Sequence, residues 1–379
     1  MKLTIKWKRQ WPNSLRQPWH RAFLLLALLL PVLHCTKPHP PSVITPAFYH
    51  WQTRLQLSPG ERSYLDSLGA RNLYVKFFDV DIDPASRQAV PLAVAEIDTQ
   101  RLAGLEIVPT VFITNRTFLQ LTAEEVRQLA GKVFQKITSL MPDGPASLPQ
   151  PGGGRFREVQ FDCDWSPQSR DAFFSFLQHF RDSSRQAGSN PLISATIRLH
   201  QLSFPAQTGI PPADRGMLMF YNMGDLEAWE TDNSILDLSR SSDYLHRQKA
   251  PYPLPLDYAL PLFRWGILFR DERLFRLVNG LDDADLSDSS RFISIGPRRY
   301  KVVKGTYLQG HYLVPGDLIR LEAVKPPVLL EASALLASER RHLDGRDSAR
   351  IAFFSLDALS QSTFPAAVLR QAVSAFEEK

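Results

Sequence analysis

Cysteine is almost missing from this 379-residue chain, with only Cys35 and Cys163 present. Two cysteines cannot build a disulfide scaffold, so stability has to come from a large apolar core. The chain also lacks GxGxxG and GxxxxGK[ST] phosphate turns and the G-x-S-x-G elbow, which removes the dinucleotide, P-loop and ordinary serine-hydrolase readings. His200, His246 and His311 have no metal-ligand spacing from one another. The run Asp79-Val80-Asp81-Ile82-Asp83 begins like a calcium loop, but Pro84 takes the glycine position and Val90 that of the bidentate glutamate. No metal and no cofactor is assigned. No apolar run reaches the roughly 20 residues that cross a bilayer, which argues against an integral membrane protein. No internal repeat of useful length is visible.

Acid is absent from the first 34 residues, which carry Lys2, Lys6, Lys8, Arg9, Arg16 and Arg21 and then an apolar run ending just before Cys35. This pattern reads as a secretory leader over 1–34. Leu33-His34-Cys35 resembles a bacterial lipobox, with His34 where the pattern wants a small residue, and Cys35 is the expected lipidation site. A proline-rich tether is expected over 35–57 and a single folded domain over 58–379. Removing the six leader charges from the formal +5 leaves −1. A nucleic-acid partner is thereby excluded. The expected location is the bacterial cell envelope, on a membrane through the N-terminal lipid, with a periplasmic or secreted protein as the alternative. A monomer is expected.

Apolar runs bounded by turn residues alternate with amphipathic stretches, and strands are expected over 73–79, 107–113, 159–164, 192–200, 216–221, 257–261, 317–322 and 351–355. Eight strands alternating with helices predict an α/β fold, a (β/α)8 TIM-type barrel, with a small β insertion over 292–316 before the seventh strand. Capping boxes at Ser58-Pro59-Gly60-Glu61 and Thr122-Ala123-Glu124-Glu125 open two of the helices. Loops are expected over 141–154 and 282–290.

The chemistry concentrates in EVQFDCDWS, residues 158–166. An extended chain here puts Gln160, Asp162 and Asp164 on one face and Phe161, Cys163 and Trp165 on the other. Two unpaired carboxylates on one buried face cost several kcal/mol, so the pattern points to a site. Active sites of such barrels lie at the C-terminal strand ends. Those ends hold Asp79 and Asp81, then Asp162 and Asp164, Arg198 and His200, Tyr221 beside Asn222, and Arg320 with Glu322. A salt-bridge network closing the barrel is the competing structural account. Trp165, Trp229, Trp265, Tyr221 and Tyr252 are candidate sugar-stacking rings or core aromatics.

Three segments resemble the chitinase-type family 18 glycoside hydrolases and their inactive relatives. VQFDCDWS at 159–166 is similar to the family's D-x-x-D-x-D-W-E, Met219-Phe220-Tyr221-Asn222 to its M-x-Y-D, and LDYALPLFRWG at 256–266 to its later G-x-P-x-Y-G strand, with Pro261 in the matching place. The resemblance covers roughly 70–270 and implies a carbohydrate ligand or substrate. It also departs from the family at the decisive place. Ser166 stands where the family has the glutamic acid that protonates the glycosidic oxygen, Val159 replaces the first aspartate, and Asn222 the last. Asp164 matches the residue that in the family assists the substrate N-acetyl group. The resemblance thus leaves two readings open, a glycoside hydrolase of altered mechanism and a carbohydrate-binding barrel without catalysis; a lipoprotein that binds another protein is a third. In the first reading Asp162, Asp164 and Glu322 are catalytic, with Glu322 or Asp79 as the second carboxyl, roughly 5–9.5 Å away.

Overall fold

The computed structural model describes residues 43–141, 156–248, 250–346 and 348–377. The leader, Cys35 and nearly all of the 141–154 loop lie outside the described residues.

Eight parallel strands close a barrel: β1 Ile44–His50, β2 Asn72–Ile82, β3 Glu106–Ile113, β4 Glu158–Asp162, β5 Leu192–Arg198, β6 Arg215–Met219, β7 Leu256–Pro261 and β8 Ala349–Phe354. Each pairs with its successor, and β1 pairs with both β8 and β2, so no edge is left unpaired in the ring. The strands read as nearly continuous buried runs, as in β7 with all six residues buried, because a parallel sheet wrapped in helices is dry on both faces.

The helices follow their local signals. In α1, Pro59–Leu68, Ser58 Oγ accepts from Glu61 N at 3.1 Å while Glu61 accepts from Ser58 N at 2.8 Å, and the helix stops at Gly69 with φ 66°. In α2, Ala123–Leu140, Thr122 and Glu125 repeat the box and Val126, Leu129, Val133 and Ile137 are buried. In α3, Arg170–Gln186, Phe176 and Phe180 pack edge-on against Phe161 of β4 at 5.1 and 4.8 Å between ring centres. Further helices are α4 Leu238–His246, α5 Pro326–Asp344 and α6 Ala366–Ser374.

Two strands differ from the sequence expectation. The eighth barrel strand is β1, inside the stretch expected as tether. Its Pro46 pairs toward β8 only, the β2 pairing beginning at Ala47, so the missing N–H leaves one ladder rather than two short. Residues 317–322 are not in the barrel. Leu318–Ala323 is the middle strand of a five-stranded antiparallel sheet with Arg273–Asn279, Arg264–Arg270, Arg299–Val302 and Phe292–Gly296. This sheet, inserted between β7 and β8, is larger than the expected hairpin. Ile319 and Leu321 face a second, smaller core with Leu268, Val278 and Phe292, while Arg320 and Glu322 face the other way.

Candidate functional site

The barrel interior is built in layers from β4. Glu158 at its start forms an ion pair with Arg350 of β8, which also donates to Tyr74 Oη at 2.9 Å. Beside it Arg215 donates to both carboxylate oxygens of Asp257 at 2.7 Å. Charge thus plugs the end of the barrel where the strands begin. Two residues on, Gln160 accepts a 2.6 Å bond from Tyr49 Oη. Two further, Asp162 Oδ1 accepts from Thr196 Oγ1 at 2.7 Å and from Arg198 Nη2 at 3.1 Å. The period of two therefore holds with the expected parity: Gln160 and Asp162 point inward, Phe161 outward onto α3.

Register extends this layer sideways. Asp79, Phe112 and Asp162 are successive partners across β2, β3 and β4 and share the inward face, after a register shift near Phe77. Asp79 Oδ2 takes Lys76 Nζ at 3.1 Å, and its buried Oδ1 has no hydrogen-bond partner among the described residues. Lys76 lies 5.9 Å over the Trp51 ring. Asp81 is clamped by Arg116 at 2.5 Å and Thr114 Oγ1 at 2.7 Å, and the Arg116 bonds hold its carboxyl below the usual range.

Beyond the strand ends a cavity of about 340 Å³ is lined by Asp164, Arg198, His200, Tyr221, Asn222 and Tyr244, with Leu199, Met223 and Leu226. Five of the expected site residues thus converge from three strands. Burial works against the Arg198 charge, but Asp162, Tyr221 and Asp164 outweigh it and raise its pKa. Burial and the Arg198 charge push His200 down, against the pull of Asp164, whose Oδ1 is 4.0 Å from His200 Nε2. Burial raises the Tyr221 phenol far above its usual value. Asn222 sits at φ 57° with its N–H on Ile235 O at 2.8 Å, a left-handed position that asparagine tolerates better than most residues.

Several expected site residues lie elsewhere. Glu322 is 0% exposed, and its oxygens accept from Arg320 Nε at 2.8 Å, Ser234 N at 2.8 Å, Ser234 Oγ at 2.5 Å and Trp265 Nε1 at 3.0 Å. Arg320, 1% exposed, also donates to Ala228 O and Leu226 O. These three side chains pin the inserted sheet to the 222–236 loop and have no face on the cavity, so the role of second carboxyl does not fit Glu322. Trp165 is 1% exposed, stacked on Phe173 at 5.2 Å with Nε1 donating to Thr208 O, and offers no ring to a ligand. Ser166 belongs to a hydroxyl turn at the start of α3: its N–H donates to Ser169 Oγ, which donates to Asn115 Oδ1 at 2.5 Å.

Other interior residues were not expected. Tyr49 and Trp51 follow from β1, which the prolines upstream had disguised. Thr196 lay in a recognised strand two residues before Arg198, where the parity rule would have found it; Lys76 shares a face with Asp79 only through the register shift near Phe77, which alternation does not predict.

No protein-family model matches the chain, and no curated protein matches it. Solved structures do. The spore cortex-lytic enzyme SleL of Bacillus cereus aligns at 13% identity and TM-score 0.50 over 89% of this chain and 76% of its own. SleL of Bacillus megaterium QM B1551 aligns at 11% identity and TM-score 0.50 over 88% and 75%. A glycoside hydrolase family 18 N-acetylglucosaminidase of Paenibacillus barengoltzii aligns at 13% and TM-score 0.47 over 87% and 99%. The structural neighbours include glycoside hydrolase family 18 enzymes, and in its barrel fold the chain is similar to the two SleL enzymes.

Proposed function

We propose that the cavity at the strand ends binds a carbohydrate, and that the protein is a glycan-binding barrel which has given up hydrolysis by the two-carboxylate route. The observation that carries this reading is the cavity wall, where Asp164 is the sole carboxylate among the described residues. Two-carboxylate hydrolysis needs a second group to protonate the leaving oxygen. Ser166 holds the matching position and is engaged in the α3 turn, Glu322 is enclosed away from the cavity, and Asp79, paired with Lys76 in the layer of Asp162, is not among the cavity's lining residues. What remains is suited to binding: a guanidinium, an imidazole, a carboxylate, an amide and two tyrosine rings around a space near the lower end of ligand-pocket volumes. The enzymes sharing the fold, two of them named as cortex-lytic, support a carbohydrate rather than another polar ligand.

The hydrolase reading has one observation in its favour, the Asp164–His200 approach at 4.0 Å, which could move a proton. One experiment separates the two. The chain is offered a broad oligosaccharide panel, with binding and released reducing ends both measured. Binding that falls at least tenfold in Arg198→Ala, without reducing ends, supports the binder. Turnover that disappears in Asp164→Asn overturns it.

For location, we infer attachment to the envelope through lipid at Cys35, from the acid-free basic leader and Leu33-His34-Cys35. Cys35→Ser should move the protein from the membrane fraction to the soluble one, and unchanged sedimentation would sink the idea.

A further inference from the structure

A second and larger cavity, about 780 Å³, lies beside the strand-end cavity, with Tyr244 of that cavity's wall under Arg247 of this one. Its volume lies within the roughly 300–1,000 Å³ typical of small-molecule sites. Leu202, Phe204, Ile210 and Tyr252 supply a mainly apolar wall, with Leu202 0% and Tyr252 3% exposed. Among the described residues the lining contains no carboxylate. Its positive charge comes from Arg247, which is exposed, lies 5.8 Å over the Phe204 ring and 5.7 Å over that of Tyr244, and makes no ion pair among the described residues. His246 shares the rim, 3.8 Å from Glu339 outside the lining. The Tyr252 hydroxyl, buried in the wall, has no hydrogen-bond partner among the described residues.

An apolar space of ligand size, whose described lining carries no carboxylate and one guanidinium braced between two rings, selects an anionic head on an apolar tail. We propose that this second cavity binds a single-chain amphiphile with a carboxylate head. The tail lies against Phe204, Ile210 and Pro251, the accessible apolar residues of the lining. The carboxylate meets the planar fork of Arg247, which matches it in a bidentate way that lysine does not. Each methylene buried strengthens binding about fourfold. The site shares no ligand with the strand-end cavity, so it stands whether or not a glycan binds there.

The test is calorimetric titration of the full chain with sodium octanoate, decanoate and dodecanoate below their micelle concentrations, and with 1-decanol. Kd should fall about fifteenfold for each two methylenes. Arg247→Gln should weaken decanoate at least tenfold and leave decanol within about twofold, while Ile210→Glu should remove both. Matching thermal melts show that the variants fold, and the chain-length series in the wild type decides the matter if they do not. Absence of dodecanoate binding, equal affinity across chain lengths, decanol bound as tightly as decanoate, or an Arg247→Gln chain that binds decanoate like the wild type each overturns the proposal.

Discussion

Asp162 is 5% exposed, and its Oδ1 rests on Thr196 and Arg198. Replacing Arg198 by methionine strands that carboxylate, and breaking such a pair costs about 3 kcal/mol. Denaturant titration of Arg198→Met should show the loss, and adding Asp162→Asn should restore part of it, since the two sites are coupled. His50 makes a different prediction. Burial lowers its pKa, with Glu61 and Asp357 opposing but not prevailing. The unfolded chain therefore takes up the proton first as pH falls below about 6.5. Stability is complete above that value and declines toward the depressed folded pKa, and His50→Gln should flatten the decline as pH falls below about 6.5. At this scale the sequence was most readable on β4, where alternation alone separates Asp162 from Phe161. Trp165 was left open between a core ring and a sugar-stacking one, because an indole looks the same to a sequence pattern whether it stacks on Phe173 or on a ligand, and it is the core ring.

Among the elements, the inserted sheet is tied to the 222–236 loop by one buried cluster, and also by Asn233 on Ala323 O and Arg299 on the carbonyls of 229–231. Glu322, Arg320, Ser234 and Trp265 join Leu318–Ala323 and Arg264–Arg270 to the 222–236 loop, which also carries Leu226 into the strand-end cavity. Glu322→Gln leaves a buried guanidinium without its counter-charge, at about 3 kcal/mol. Limited proteolysis should then cut the 222–236 loop sooner, with the barrel core protected as before; an unchanged digestion pattern would show that the cluster does not hold the sheet. Within the same loop Gly224 approaches so closely that an added Cβ would lie 2.6 Å from Ser234 Cα, so little substitution is tolerated there. The misplacement of Leu318–Ala323 has a physical origin. LIRLEA alternates apolar and charged residues, the sequence mark of a strand with unlike faces, whereas ARIAFF of β8 carries a single charge in an apolar run, although four of six residues are buried in each. Both are good strands, and only the period tells the sheets apart.

For the molecule as a whole, closure rests on β1. A chain beginning at Val43 keeps all eight strands, while one beginning at residue 58 loses the strand that joins β8 to β2. The first should melt cooperatively by circular dichroism and the second should not, since an opened ring exposes two unpaired parallel edges. The barrel was legible from the β/α alternation over most of its length; its first strand was not, because Pro46 and the prolines before it outweighed a short apolar run. The position of β1 has a mechanical side. All eight strands run toward the strand-end cavity, so β1 starts at the opposite pole. A glycan gripped at one pole and a lipid holding the N-terminus would stretch the protein from end to end. The tension would run lengthwise down β1, loading its rungs to β8 and β2 in shear, all together, instead of peeling them off one by one. A barrel anchored by this terminus resists being pulled; hung from a terminus that unzips a strand from its edge, it would not.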